Sequence, residues 1–189
     1  DWGSDVLKVG NSLGIGSPAI WYQDSLYTLS KSAKKELEII ENGDSQSTIR
    51  TTFTNLEIGG QKMDLVQDWS IAAGQPYSTI HLKITKGALP EGANFATGIV
   101  KHIKKIQTGN IHNNFYAYTW GKQSFHKDYM GMAIFADAAQ EPIEIDNELT
   151  HTYIFKNAPN EVTYAFMAAW EQGNSRVKEE TVFKNLGNG

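Results

Sequence analysis

Alternation with a period of two residues governs most of this chain, and that is the period of a strand, not of a helix. Through Met63, Leu65, Gln67, Trp69 and Ile71 one face is mainly apolar, while Lys62, Asp64, Asp68 and Ser70 take the other. The pattern predicts a long half-buried strand. A run rich in Thr, Ile and Phe, from Ser47 to Ile58, precedes it, and the intervening Gly59-Gly60 can supply the positive φ angles of a two-residue turn. Ile49–Ile58 and Met63–Ile71 are therefore expected to pair as an antiparallel hairpin. Further strand candidates are Ala19–Tyr22, Leu26–Leu29, Lys35–Glu41, Ser78–Ile84, Asn94–Lys101, Asn114–Trp120, Tyr129–Phe135, Glu148–Phe155 and Val162–Trp170, separated by clusters of Gly, Pro, Asn and Asp. Only Ser175 to Leu186 reads as a helix, with Ser175 to start it, a stripe of Val177, Val182, Phe183 and Leu186, and Gly187 to stop it. The expected fold is all-β: a large two-sheet antiparallel β-sandwich, supersandwich-like, with one short C-terminal helix.

Composition narrows the function. At 189 residues, 40% of them hydrophobic, the chain can build one core and is expected to form a single β-sandwich domain over residues 1–189. Lys and Arg number 17 against 21 Asp and Glu, and the basic residues are scattered, which argues against a nucleic-acid partner. No apolar run approaches the ~20 residues of a membrane span. The absence of cysteine excludes disulfides, cysteine-ligated metals and thiol nucleophiles. Phosphate-binding, dinucleotide, zinc-protease, serine-hydrolase and calcium-loop motifs are missing as well. The first residue is Asp1, so the chain reads as processed or truncated.

What remains is a set of polar and aromatic side chains near strand ends. His81 lies between Ile80 and Leu82 and projects with Thr79 and Lys83 onto the opposite face, which is either a solvated sheet surface or a cleft with an acid, base or ligand in it. Lys101-His102 closes an apolar strand, where a cation and an imidazole are placed to meet an anion and move a proton, unless with Lys104-Lys105 they are only surface charge. His151 shares a face with Tyr153 and Phe155, and a His and a Tyr on one concave face can act as donor and acceptor; a hydrogen-bonded core pair would look the same. His112 and His126 sit in Asn- and Lys-rich loops and are expected to do nothing specific. Tyr116, Tyr118 and Trp120 share a strand face, and Trp170-Glu171 closes another strand, offering flat plates for the C–H faces of sugars. Trp120 and Trp170 are expected to border one cleft with His102 and His151.

The opening Asp1-Trp2-Gly3-Ser4-Asp5-Val6-Leu7-Lys8-Val9-Gly10-Asn11-Ser12-Leu13-Gly14, followed by Gly98-Ile99-Val100-Lys101-His102, Thr119-Trp120-Gly121-Lys122-Gln123-Ser124, Met130-Gly131-Met132-Ala133 and Ala168-Ala169-Trp170-Glu171, resembles the bacterial domain-of-unknown-function family 4861 across the whole chain. The resemblance implies an exported or periplasmic protein of a polysaccharide-degradation pathway, and a chain that is the C-terminal part of a longer one whose upstream segment would be a partner in the site. It also implies action on acidic oligosaccharides by elimination at a uronic acid, as a lyase or dehydratase. For that chemistry Lys101, Arg50, Asn11 and Gln123 would meet the substrate carboxylate, and His102, His81, His151 and Tyr153 would move protons. Trp120, Trp170 and Glu171 would hold the sugar. A divalent metal is the possible cofactor, with His102, His151 and Glu171 as candidate ligands. The alternatives are a non-catalytic carbohydrate-binding sandwich and an aldose-epimerase-like enzyme that uses a His and a carboxylate such as Glu171.

Overall fold

The alternation becomes two antiparallel sheets in the computed structural model, which describes residues 5–173 and 177–186. The smaller sheet has five strands in the order β11 (Pro142–Ile145), β12 (Thr150–Phe155), β7 (Asn94–Val100), β1 (Ala19–Tyr22) and β2 (Ser25–Thr28). The larger has eight, in the order β3 (Lys34–Asn42), β4 (Gln46–Ile58), β5 (Gln61–Ala72), β6 (Ser78–Lys86), β13 (Glu161–Trp170), β10 (Tyr129–Asp137), β9 (Asn114–Lys122) and β8 (Gln107–Ile111). One helix, α1 (Glu180–Leu186), lies C-terminal to them. The fold is the expected two-sheet antiparallel sandwich. No helix among the described residues is long and apolar enough to cross a membrane.

The expected hairpin forms at Gly59-Gly60, where both glycines have positive φ (56° and 77°) and Ile58 pairs with Gln61. Its register puts Leu65 opposite Phe53 and Trp69 opposite Ile49, so the apolar residues of both strands face the smaller sheet. Coverage is unequal along that face. Met63 and Leu65 are fully buried, whereas Trp69 and Ile71 are 48% and 54% exposed, because five strands cannot cover eight.

Two strands had no counterpart among the expected segments. β8 carries Thr108, Gly109 and Asn110 and shows no apolar alternation, and β11 opens on Pro142 and is only four residues long, too short for Ile143-Glu144-Ile145 to stand out. Both are edge strands, where such residues are tolerated. The strand expected from Glu148 starts at Thr150, since the Asn147 side chain accepts from the amides of Leu149 and Thr150 and forms a turn there. The helix begins at Glu180; its expected start at Ser175 and its stop at Gly187 lie outside the described residues. Of its expected stripe, Val177 and Phe183 are buried and Val182 is exposed.

The core between the sheets joins Ile20, Phe95 and Phe155 of the smaller to Leu65, Ile80, Leu82, Val162 and Tyr164 of the larger. A second apolar cluster continues it, with Ile99 and Tyr153 against Ala117, Met130, Met132 and Ile134. A third lies on the opposite, outer face of the larger sheet, where Phe183 of α1 packs with Tyr118, Ala133, Met167 and Ala169. Strands β9, β10 and β13 are therefore apolar on both faces. Unequal coverage predicts unequal stability effects along β5. Leu65→Ala should cost about 2–5 kcal/mol in denaturant unfolding, whereas Ile71→Ala should stay within about 0.5 kcal/mol of the parent protein.

Candidate functional site

The residues expected to carry chemistry separate into different environments. Lys101 follows β7 directly, and its ammonium donates to the Asn147 carbonyl and lies 3.9 Å from Asp146 Oδ1. It fastens a loop. The next residue, His102, is exposed and places Nε2 at 2.8 Å from the Lys8 carbonyl. By contrast His151 is 2% exposed and uses both ring nitrogens, Nε2 at 2.7 Å from the Ile103 carbonyl and Nδ1 at 3.4 Å from Glu144 Oε1. That is a satisfied core histidine. Tyr153, buried beside it, has its phenol pushed up by burial first and by the Glu144 carboxylate second, so it stays protonated.

Trp120 and Trp170 do not border one cleft. Trp120 pairs with Gly131 and shares the outer face with Ala169, while the next residue on that strand, Trp170, pairs with Met130 and projects to the inner face. Trp120 packs against Tyr129 and Phe183, with ring centroids at 5.9 and 5.7 Å. The Trp170 indole donates to Asp128 Oδ2 at 3.3 Å. Glu171 accepts from the Tyr129 amide at 2.7 Å, and Gln123 is buried against Thr119 and the Met130 carbonyl. Asn11 lies in an exposed turn near the chain start. His102, His151 and Glu171 thus hold separate local partners, and among the described residues no group of three or more His, Asp or Glu is placed to bind a metal.

Arg50 and His81 do come together. On the outer face of the larger sheet a register row runs from Glu38 through Arg50, Asp68 and His81 to Thr163. Arg50 makes two hydrogen bonds of 2.7 Å with the Asp68 carboxylate and holds its pKa below the usual range. His81 Nε2 lies 3.4 Å from Glu161 Oε2, and Lys83 Nζ lies 3.3 Å from the same oxygen. Lys83 first, and His81 after it, hold the Glu161 carboxyl below its ordinary value. The imidazole thus stands between two ionised carboxylates, each already paired with a cation.

This row opens into a cleft of about 750 Å³. A second row, Thr79, Ala165, Phe135 and Tyr116 across β6, β13, β10 and β9, forms the floor, with Ala165 as its low point. Tyr77 and the β8–β9 turn at His112 bound the sides. The short turn Ala138–Gln140 forms another wall: Asp137 accepts from the Ala139 amide, and the Gln140 side chain both donates to the Thr163 carbonyl (2.7 Å) and accepts from the Thr163 amide (2.9 Å). Glu161, Asp137, Thr163 and His112 are lining residues that sequence reasoning missed. Their only sequence signal is parity along strands whose register is set elsewhere. Such a cleft offers a proton donor and acceptor side by side above an aromatic floor.

Ion pairing here predicts an acid limb in stability. Asp68 has a lowered pKa in the folded protein, so its contribution is present above the unfolded carboxylate value of ~3.9 and is lost as pH falls through the folded value. Asp68→Asn should flatten thermal stability against pH below about pH 4, and at pH 7 should cost no more than about 1 kcal/mol, because Arg50 is partly exposed and screened.

No curated protein matches the chain in sequence. Among solved structures the chain is similar to the α-N-acetylgalactosaminidase NagBb of Bifidobacterium bifidum. A quadruple mutant of that protein gives a TM-score of 0.45 at 10% identity, covering 91% of this chain and 33% of that one. Its GalNAc complex gives 0.40 at 8% identity, covering 92% and 33%. A human-microbiome protein assigned as a kojibiose phosphorylase gives 0.47 at 12% identity, covering 90% of this chain and 24% of that one. This chain thus spans a third or less of the length of those proteins. In sequence, the profile described as a domain of unknown function (DUF4861) matches residues 1–186, and the chain belongs to that family.

Proposed function

We propose that this protein acts on a carbohydrate held in the cleft on the outer face of the larger sheet, with His81 and Glu161 moving protons at the sugar ring. The observation that carries this reading is the imidazole–carboxylate pair, 3.4 Å apart, over a floor of Ala165, Phe135 and Tyr116. Pyranose C–H faces pack on aromatic plates, and their hydroxyls bond to the Thr, Asn and Gln side chains that surround such a floor. Glu161, kept ionised by Lys83, suits the proton acceptor, and His81 beside it suits the donor. Transfer of a proton from an anomeric hydroxyl to one group and from the other to the ring oxygen would open an aldose, as in the epimerase-like reading, with Glu161 in the part first given to Glu171.

Elimination at a uronic acid is the second reading, and Lys83 favours it. Its ammonium is paired with the Glu161 carboxylate at 3.3 Å, and with three donors it can share that pairing with a substrate carboxylate and make the C5 proton easier to remove. Lys101, which is not among the residues lining the cleft, and Arg50, held by two hydrogen bonds to Asp68, suit that part less.

A panel of neutral sugars and uronate oligosaccharides separates these readings. Proton NMR would follow exchange between anomers, ultraviolet absorbance the C4–C5 double bond of elimination, and calorimetry binding without turnover. His81→Ala and Glu161→Gln should each lower turnover by ~10²–10⁴-fold with an unchanged melting temperature. Variants that turn over like the parent protein would sink the proposal, and binding without turnover would make the domain a carbohydrate-binding sandwich. If Glu161 is the base, the acid limb of kcat/KM should lie below ~4.3, the ordinary glutamate value. Lys83→Met should then move that limb to higher pH.

A further inference from the structure

We infer that the cleft continues along β9 into a second sugar subsite, so that the ligand is a chain of at least two rings; this rests on the carbohydrate reading above. A smaller cavity of about 280 Å³ adjoins the larger one, and the two share Ile111, Tyr116 and Phe135 in their walls. Tyr116 is the saddle between them. Its phenol lies across Gly109 on the paired strand β8, where a Cβ would meet the Tyr116 hydroxyl at 2.6 Å and Cζ at 2.8 Å. A side chain at that position would push the ring off the sheet. Glycine there keeps it low, as a platform reachable from either cavity.

Beyond the saddle the aromatic surface continues. Tyr118, two residues along on the same face, stacks with Tyr116 at 6.2 Å and 29°. The floor of the smaller cavity is completed by Ala133, Met167 and Phe183, and Gln107 and Lys184 stand among its lining residues. Gln107 pairs with Tyr118 and shares its face. The Lys184 ammonium lies 3.3 Å from Glu180 Oε1, and Glu180 in turn accepts from the Tyr118 hydroxyl at 2.8 Å. Glu180 therefore steadies Lys184 at the rim while taking one of the three donors of the ammonium. An aromatic floor beneath a rim of amide and ammonium donors matches a pyranose, which has an apolar face and a periphery of hydroxyls. A wholly apolar group would leave Gln107 and Lys184 unmatched at its edge.

The test is calorimetry on the whole chain with xylose, glucose, galactose and galacturonate oligosaccharides of one to four rings, together with the phenyl glycoside of each single sugar. At least one series should bind about tenfold or more tightly at two rings than at one. Gln107→Trp, which fills the smaller cavity, should erase that gain and leave one-ring affinity within about twofold. Lys184→Ala should remove part of the gain, and it supplies the same comparison if the tryptophan variant is unstable. One-ring binding with no increase on lengthening would overturn the second subsite and leave the His81–Glu161 reading standing. A phenyl glycoside that matches the two-ring gain would make the cavity an aglycone pocket and also overturn it. If no series binds at any length, both readings fall.

Discussion

The apolar seam between the two sheets, centred where Tyr164 stacks on Phe155 at 5.7 Å, decides what the outer face of the larger sheet can be. Tyr164 is wholly enclosed, and its hydroxyl donates to the Gly16 carbonyl at 2.7 Å, so β13 has no freedom to slip by one residue. With Tyr164 turned inward, Thr163 and Ala165 must turn outward. The same parity acts on its neighbours: Ile80 inward puts Thr79 and His81 outward, Ile134 and Ala136 inward put Phe135 and Asp137 outward, and Ala117 inward puts Tyr116 outward. The cleft is a consequence of core packing. Its residues lie together because the opposite side of each strand is committed to the seam.

Unequal strand number supplies the second constraint. Five strands against eight leave one corner of the larger sheet's inner face uncovered, and the smaller sheet does not reach the outer face at all. On the outer face α1 covers part of the surface, seating Phe183 against Tyr118 and Trp120, and the cleft lies on the part it leaves open. At the inner corner of β3, β4 and β5, Leu37, Ile39, Ile49, Trp69 and Ile71 stay exposed. That corner leaves five large apolar side chains in contact with water.

Local pattern was enough for every strand except β8 and β11 and for the Gly59-Gly60 hairpin, because each is written within a few residues. It was also enough for His81, whose neighbours Ile80 and Leu82 fix its direction. It failed where both faces of a strand are buried. Every residue of β12 is enclosed, so alternation there does not distinguish a cleft-facing His151 from a core one. Trp120 and Trp170 show a different failure. Each ends a strand, but whether they share a face depends on the register of β9, β10 and β13, which is set by long-range pairing. His112 looked inert for the same reason: its place at the cleft comes from the β8–β9 turn, and β8 has no apolar alternation to announce it.

The electrostatics of the cleft follow from that geometry. Antiparallel register lines up Arg50 with Asp68 and brings Lys83 beside Glu161, so each carboxylate has its own cation and both stay ionised. Those cations hold both carboxyls below their ordinary, already acidic, range. With them, His81 is left as the group between the pairs whose ring nitrogens can accept or give a proton. A sheet surface that merely faced water would gain little from such ordering, since exposed ion pairs contribute on the order of 0–1 kcal/mol. Set at the edge of a cleft with an aromatic floor, the same ordering keeps two charged carboxylates on either side of one imidazole, and core packing and strand register, not local sequence, put them there.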